Sequence, residues 1–172
     1  MSLLSSVSKL VTYVSSAKIA HAHCDIPCGI YDPHMAQLAA LTTIRMNQLI
    51  AGLAKPAAEA TPQEQASYAA AISRYVAVKE EHAELCKKEL RVLWGDYFRP
   101  EHVQQHPDLH ERFFVAMKLA SRVRQSNDMK AAEDLLAAVQ GIAEIFWKTK
   151  GANVSRQPSR QGVVGKEMVY PA

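Results

Sequence analysis

Four stretches of this 172-residue chain repeat apolar residues every three or four positions, and this spacing constrains the fold more than any other feature. The stretches cover residues 34–53, 62–94, 108–125 and 128–149. Such spacing gives an α-helix one apolar face, which must be buried against other helices. With mostly short connections, the pattern predicts an all-α protein, an antiparallel four-helix bundle.

Each predicted helix contributes one stripe of side chains to the core. The third stripe is Leu109, Phe113, Ala116, Ala120 and Val123. The second and fourth stripes contain, among others, Cys86 and Phe146. In the first helix the stripe is Met35, Leu38, Thr42, Met46, Leu49 and Leu53. Cys86 is therefore expected to act as a small core residue, which is how free cysteines usually behave.

Helix start signals precede two of the stretches. Asp32 followed by Pro33 predicts a helix that opens at His34. Thr61-Pro62-Gln63-Glu64 has the pattern of a capping box, with Thr61 as N-cap. Residues 95–107 form a long, aromatic, proline-bounded linker that we expect to pack on the bundle. Residues 151–172 show no convincing alternation and predict a polar C-terminal tail, extended or mobile.

Composition and charge exclude several classes of protein. The chain is 48% hydrophobic and 22% charged, which fits a soluble globular protein rather than a disordered one. Its net charge of +3 divides into +2 for residues 1–22 and +2 for residues 151–172, which leaves −1 for the body. A near-neutral body is not typical of a nucleic-acid binder. No run of about 18 apolar residues occurs, so the sequence predicts no membrane-spanning helix.

The N-terminal segment 1–22 is rich in serine and contains no acid. It ends in Ala20-His21-Ala22, a pattern of small residues that proteases cut. One interpretation is a flexible terminus without a role. The other is a leader removed during maturation, so that the mature chain begins at His23.

The residues best suited to chemistry form the motif His23-Cys24-x3-Cys28. Two thiolates and an imidazole within six residues can converge on one metal ion, and Pro27 and Gly29 permit a sharp turn around it. A disulfide between Cys24 and Cys28, or two incidental thiols, are the alternatives. The motif lacks the second ligand pair that zinc sites usually recruit.

Removal of the leader would add a further ligand to this motif. The free α-amine of His23 would join the two thiolates, and the next backbone nitrogen could complete a square plane. Planar nitrogen and sulfur coordination suits nickel or copper rather than zinc. The motif therefore indicates a redox metal.

The segment His23–Pro33, HCDIPCGIYDP, resembles the N-terminal nickel hook of the nickel superoxide dismutases. The resemblance continues at 92–100, 107–110 and 146–150, and so covers residues 23–150. It implies three segments: a leader or propeptide over 1–22, a four-helix-bundle domain over 23–150, and the tail over 151–172.

The resemblance also implies a site and a reaction. The His23 amine, the Cys24 amide nitrogen and the thiolates of Cys24 and Cys28 would hold one nickel ion per subunit. The His23 imidazole would bind axially in the oxidised state. The metal would alternate between Ni(II) and Ni(III), converting superoxide into dioxygen and hydrogen peroxide. Asp25 and Tyr31 would support the hook and restrict anion access, and Tyr97 would approach the same pocket. The family assembles as a hexamer.

The sequence departs from the family at two positions that orient the terminal imidazole. Familiar members have an acidic side chain on the first helix and an arginine on the second, where this chain has Ala39 and His82. We expect His82, or Glu81 beside it, to take over part of this support.

Two functional classes follow from these observations. The first is a nickel-dependent superoxide dismutase, an oxidoreductase that needs a maturation protease for its leader. The alternative is a non-catalytic helical protein that traffics or senses nickel, copper or zinc. A cytoplasmic location is the simplest expectation because a reducing compartment keeps Cys24 and Cys28 as thiols. Organelle targeting by the acid-poor leader stays open.

Overall fold

The structure is a computed structural model, and it describes residues 29–172. The described chain is mostly helical, with one small sheet at its C-terminal end. Its elements are α1 His34–Ala51, α2 Pro62–Val92, a π-helical turn Leu93–Tyr97, α3 Pro100–Gln105, α4 Leu109–Gln125, α5 Met129–Thr149, β1 Val154–Pro158 and β2 Glu167–Pro171. None of the helices within residues 29–172 is both long and apolar enough to cross a bilayer.

The predicted helix starts are confirmed. Helix α1 begins at His34, whose backbone N–H donates to Asp32 Oδ1 at 2.7 Å. Helix α2 begins with a complete capping box: Thr61 N–H donates to Glu64 Oε2 at 2.8 Å, and Glu64 N–H donates to Thr61 Oγ1 at 3.3 Å. At both helix starts, these side chains accept hydrogen bonds from backbone N–H groups that a helix N-terminus leaves without intrahelical partners.

The four long helices contact one another in a closed order. Helix α1 packs on α2, α2 on α4, α4 on α5, and α5 returns to α1. The apolar side chains between them form one core that includes Ile44, Leu90, Phe113, Leu135 and Phe146. The linker 95–107 contains the short helix α3 and packs against this core through Phe98 and Val103, as predicted.

Three of the four predicted stripes mainly face the core, and the stripe of α1 does not. All five predicted residues of α4, from Leu109 to Val123, are buried. In α1, by contrast, Met35 is 47% exposed, and the buried face carries Ala36, Ala40 and Ile44. The prediction for α1 was wrong because its inner face carries mainly alanines and polar residues, so the largest apolar side chains do not mark it.

The C-terminal segment is an antiparallel β-hairpin, whereas the sequence predicted a polar tail, extended or mobile, and no strand. Strand β1 pairs with β2 in a register that places Arg156 opposite Val169. Met168 and Val169 are each only 1% exposed. Because these two adjacent residues are both buried, the strand shows no alternation of apolar and polar residues, and the sequence pattern concealed it.

Candidate functional site

The structure brings together two of the predicted site residues, Tyr31 and Tyr97. Their ring centroids are 5.6 Å apart, and the ring planes are inclined by 57°. Tyr31 lies three residues after Cys28 in the sequence, whereas Tyr97 ends the π-helical turn that follows α2. The other predicted site residues, His23, Cys24, Asp25 and Cys28, lie outside the described residues.

A π-helical turn carries Tyr97 to this position. Helix α2 stops at Val92, and the wider turn is closed by the Phe98 N–H, which donates to the Leu93 carbonyl at 3.0 Å. π-Helical turns are rare and occur frequently at functional sites, where the extra residue redirects a side chain. The spacing of apolar residues predicted a helix as far as Trp94 and gave no sign of this turn.

The Tyr97 hydroxyl has a defined hydrogen-bond direction. Its oxygen lies 2.7 Å from Thr149 Oγ1, and the Thr149 hydroxyl donates its single proton to the Phe146 carbonyl at 2.7 Å. Because a threonine hydroxyl has only one proton, Tyr97 is the donor to Thr149. The lone pairs of the phenolic oxygen remain able to accept a hydrogen bond.

The ring of Tyr97 is enclosed by aromatic and cationic neighbours. The Phe146 ring centroid lies 4.5 Å away, and the His102 ring is stacked at 5.7 Å. The Lys150 ammonium stands 5.4 Å from the Tyr97 ring centroid, within the range of a cation–π interaction. These contacts restrict the movement of the ring and so help to hold its hydroxyl in one place.

The two tyrosines border a surface cleft of about 300 Å³. Its lining combines aromatic rings with two basic and two acidic side chains: Gly29, Tyr31, Asp96, Tyr97, Arg99, Glu101, His102 and Lys150. His102 is held there by the Arg99 N–H, which donates to its Nδ1 at 3.2 Å. The cleft therefore offers hydrogen-bonding groups and two cationic side chains to a small anion, and the two carboxylates of the lining oppose that attraction.

Other residues that the sequence singled out lie elsewhere. Cys86 is fully buried, as predicted, and burial raises the pKa of its thiol to about 12. Ala39 is buried, and His82 lies near the Val78 carbonyl, with its Nδ1 at 2.9 Å. His82 lines a second cleft together with Glu81 and Leu85, so the structure does not bring it to the tyrosines.

The predicted metal ligands, His23, Cys24 and Cys28, all precede the residues that the structure describes. Within residues 29–172 no three histidine, cysteine, aspartate or glutamate side chains are grouped to bind a metal. His110 accepts a hydrogen bond from Trp94 Nε1 at 2.8 Å, which joins the beginning of α4 to the π-helical turn. The donor set of the motif, an imidazole, two thiols and a potential free amine, fits nickel, which takes nitrogen and sulfur ligands in a plane.

Sequence reasoning missed Thr149, Lys150 and His102 as residues of this cleft. Thr149 and Lys150 belong to the segment 146–150 that resembles the nickel superoxide dismutases, but a threonine and a lysine at a helix end carry no signal of their own. Only the meeting of α5 with the π-helical turn gives them a role.

Comparison with known proteins identifies the family. A sequence model of nickel-containing superoxide dismutase matches residues 18–150. The superoxide dismutase [Ni] of Streptomyces coelicolor is 34% identical over 131 residues, which cover 76% of this chain and 90% of that protein. The superoxide dismutase [Ni] of Streptomyces seoulensis is 37% identical over the same coverage.

Solved structures agree with these relatives. Native nickel superoxide dismutase superimposes with a TM-score of 0.60 at 34% identity. The superposition covers 74% of this chain and 99% of the other chain. A structure whose nickel ligation corresponds to the oxidised state gives a TM-score of 0.62 at 34% identity, covering 76% of this chain and all of its own. The alternative of a non-catalytic trafficking or sensing protein is therefore not supported. The chain belongs to the family of nickel-containing superoxide dismutases.

Proposed function

We propose that this chain carries out nickel-dependent dismutation at a metal held by His23, Cys24 and Cys28, beside the cleft that Tyr31 and Tyr97 border. The contact between Tyr31 and Tyr97 carries the proposal. Because Tyr31 follows Cys28 by only three residues and lines the cleft, the proposed ligand Cys28 would lie near the cleft.

As a nickel-dependent superoxide dismutase, the protein converts two superoxide anions and two protons into dioxygen and hydrogen peroxide. The bound nickel supplies the one-electron exchange with superoxide. The His23 amine and imidazole, the Cys24 amide nitrogen and both thiolates would hold it. Anionic thiolates favour the higher oxidation state, which ordinary nickel complexes in water reach only with difficulty.

The residues around the metal select and hold the substrate. Tyr97 donates its proton to Thr149, so its oxygen can accept a hydrogen bond from water or from a protonated product. Tyr31 and Asp25 would narrow the entrance, and Lys150 and Arg99 would attract the anion. Solved relatives include variants with a substituted histidine, aspartate or tyrosine, and His23, Asp25 and Tyr31 provide these residue types here.

The four contacting helices would form an antiparallel bundle with the hook at its N-terminal end, and the chain would assemble as a homohexamer. Helix order and contacts support the bundle. Apolar side chains left exposed on the single chain support assembly: Ile30 is 76% exposed and Phe114 is 52% exposed. Large apolar side chains in solvent are surface that an assembly could cover.

Maturation would remove the leader 1–22, leaving the domain 23–150 and the C-terminal segment 151–172. A protease that cleaves after Ala22 would expose the His23 amine. The cytoplasm would keep the thiols reduced until nickel is bound.

The three cysteines allow a matched test of the ligand set. Cys24→Ser and Cys28→Ser should each abolish nickel binding and dismutation in the processed protein. Cys86→Ser, which changes the same atom at a buried site, should leave one nickel per chain and measurable activity. Nickel retention by either of the first two variants at the wild-type level would refute the proposed ligands.

A further inference from the structure

The β-hairpin lies outside the part of the chain that the family shares. The family match ends at Lys150, and β1 begins at Val154. The hairpin is nevertheless built onto the helices, since Met168 belongs to the common core and Val169 is buried. This chain has therefore added an ordered element to the domain.

The hydrogen-bond pattern of the hairpin leaves one edge of β2 facing the helices. Ser159 N–H donates to the Lys166 carbonyl, and Ala172 N–H donates to the Asn153 carbonyl. In an antiparallel pair, hydrogen-bonded positions alternate with positions whose backbone groups point away from the partner strand. Residues 167 and 169 fall on the second kind of position, so their backbone groups point away from β1.

Two glutamine side chains from different helices occupy this edge. Gln37 of α1 is fully buried; its Nε2 donates to the Val169 carbonyl at 3.1 Å, and its Oε1 accepts from the Val169 N–H at 2.7 Å. Gln140 of α5 donates to the Glu167 carbonyl at 2.7 Å. Strand β2 thus bridges α5 and the beginning of α1. The Gln37 amide pairs with both backbone groups of Val169, as a neighbouring strand would, whereas Gln140 binds the Glu167 carbonyl alone on this edge.

Further contacts attach the hairpin to the same two helices. The Tyr170 ring lies 6.2 Å from the ring of His34, the first residue of α1. On the α5 side, Arg156 pairs with Glu144 at 2.7 Å, and Lys166 pairs with Glu133 at 2.7 Å. The α5 contacts are two partly exposed ion pairs and the buried Gln140 amide, whereas the α1 contacts are the buried Gln37 amide and an aromatic ring.

We propose that the hairpin is a clasp that fixes the first turn of α1, with Gln37 as its positioning residue, and thereby steadies the C-terminal end of the nickel-binding hook, which α1 directly follows. This inference rests on the ligand set proposed above. Helix ends open locally more readily than helix centres. His34 follows Tyr31 by only three residues, so an opening of the first turn of α1 would shift the attachment point of the hook.

The loss of Gln37 would leave the Val169 N–H and carbonyl buried without partners, which favours detachment of the strand. Gln37→Met keeps the side-chain volume and removes both hydrogen bonds. The matched control is Gln140→Met, which removes the same type of bond on α5, away from the hook. Tyr170→Ala provides a second disruption of the α1 contact that leaves the buried glutamine intact.

Amide hydrogen exchange of the processed, nickel-free protein measures how often the first turn of α1 opens. We expect exchange at residues 37–40 to accelerate about tenfold in Gln37→Met and about threefold in Tyr170→Ala, and to stay within about twofold of wild type in Gln140→Met. The rate of nickel release to a chelator should rise in the same order. Unchanged exchange at residues 37–40 in both α1-side variants would overturn the proposal, and so would faster exchange with unchanged nickel release.

The Cys28→Ser variant separates this inference from the proposed function. If Cys28→Ser retains nickel as tightly as wild type, the ligand set is wrong. The exchange rates at residues 37–40 report on the hairpin contact in either case, because they are measured without nickel.

Discussion

The hydroxyl of Tyr97 donates its proton to Thr149, 2.7 Å away, and Thr149 in turn donates to the Phe146 carbonyl. This chain of two hydrogen bonds joins the end of α5 to the π-helical turn after α2. It fixes which way the phenol proton points, and it leaves the phenolic oxygen as an acceptor toward the cleft.

Removal of the Thr149 hydroxyl should therefore leave the Tyr97 hydroxyl without its acceptor and no longer fix the direction of its proton. Thr149→Val keeps the side-chain shape, and we expect kcat/KM for superoxide to fall about fivefold, corresponding to about 1 kcal/mol for one hydrogen bond. Thr149→Ser should restore most of the loss. Thr42→Val removes a comparable helix-internal hydroxyl that donates to the Leu38 carbonyl, and it should leave kcat/KM unchanged. Equal effects of the Thr149→Val and Thr42→Val substitutions would argue against the role of Thr149.

Lys150 should contribute to substrate attraction because its ammonium stands over the Tyr97 ring at the cleft. We expect Lys150→Gln to lower kcat/KM two- to fivefold at low ionic strength, and the deficit to shrink as salt screens the charge. Lys130→Gln is the control, since Lys130 is exposed and pairs with Asp134. A deficit that does not depend on salt would show that Lys150 acts through packing alone.

Cys86 should make stability depend on alkaline pH. Its pKa is raised to about 12 in the fold by burial, whereas an unfolded thiol ionises near about 8.5. The folded state therefore retains the proton more tightly, and the resulting stability is fully present below pH ~8.5 and is lost as pH rises toward 12. In urea unfolding of the nickel-free protein, the free energy of wild type relative to Cys86→Ala should decline above pH ~8.5 by up to about 1.4 kcal/mol per pH unit. A constant difference between pH 7 and 10 would contradict the burial argument.

Lys79 should be a strong determinant of stability although it is charged. Its side chain is 2% exposed and donates to the Ser126 carbonyl and to Asn127 Oδ1, both at 2.6 Å, where the turn joins α4 to α5. Lys79→Ala leaves a cavity and two acceptors without their donor, and we expect a loss of about 2–4 kcal/mol in the free energy of unfolding. Lys130→Ala, on the surface, should change it by less than about 0.5 kcal/mol. Chemical denaturation of both variants provides the comparison.

The long helices could be predicted because each carries a sustained pattern with clear boundaries. The α4 stripe from Leu109 to Val123 is strictly periodic and is buried as predicted. The capping box at Thr61 also formed, since its partners are only three residues apart. Local signals of this kind do not depend on the rest of the fold.

The remaining features depend on contacts between distant segments. Gln37 was not predicted to be buried, because its partner, Val169, lies 132 residues away. The inner face of α1 carries three alanines and three polar residues beside Leu41 and Ile44, so the positions of the largest apolar side chains misidentified it. Likewise, Tyr97 was assigned to the site by resemblance. The role of Thr149 could not be predicted, because it depends on the contact between the end of α5 and the π-helical turn.

The most direct test of the account is the intact mass of active protein, measured together with its nickel content. The account predicts that active protein begins at His23, with an unmodified amino group and one nickel ion per chain. Active, nickel-containing protein that still carries residues 1–22, or whose His23 amine is acetylated, would contradict the assignment of that amine as a ligand.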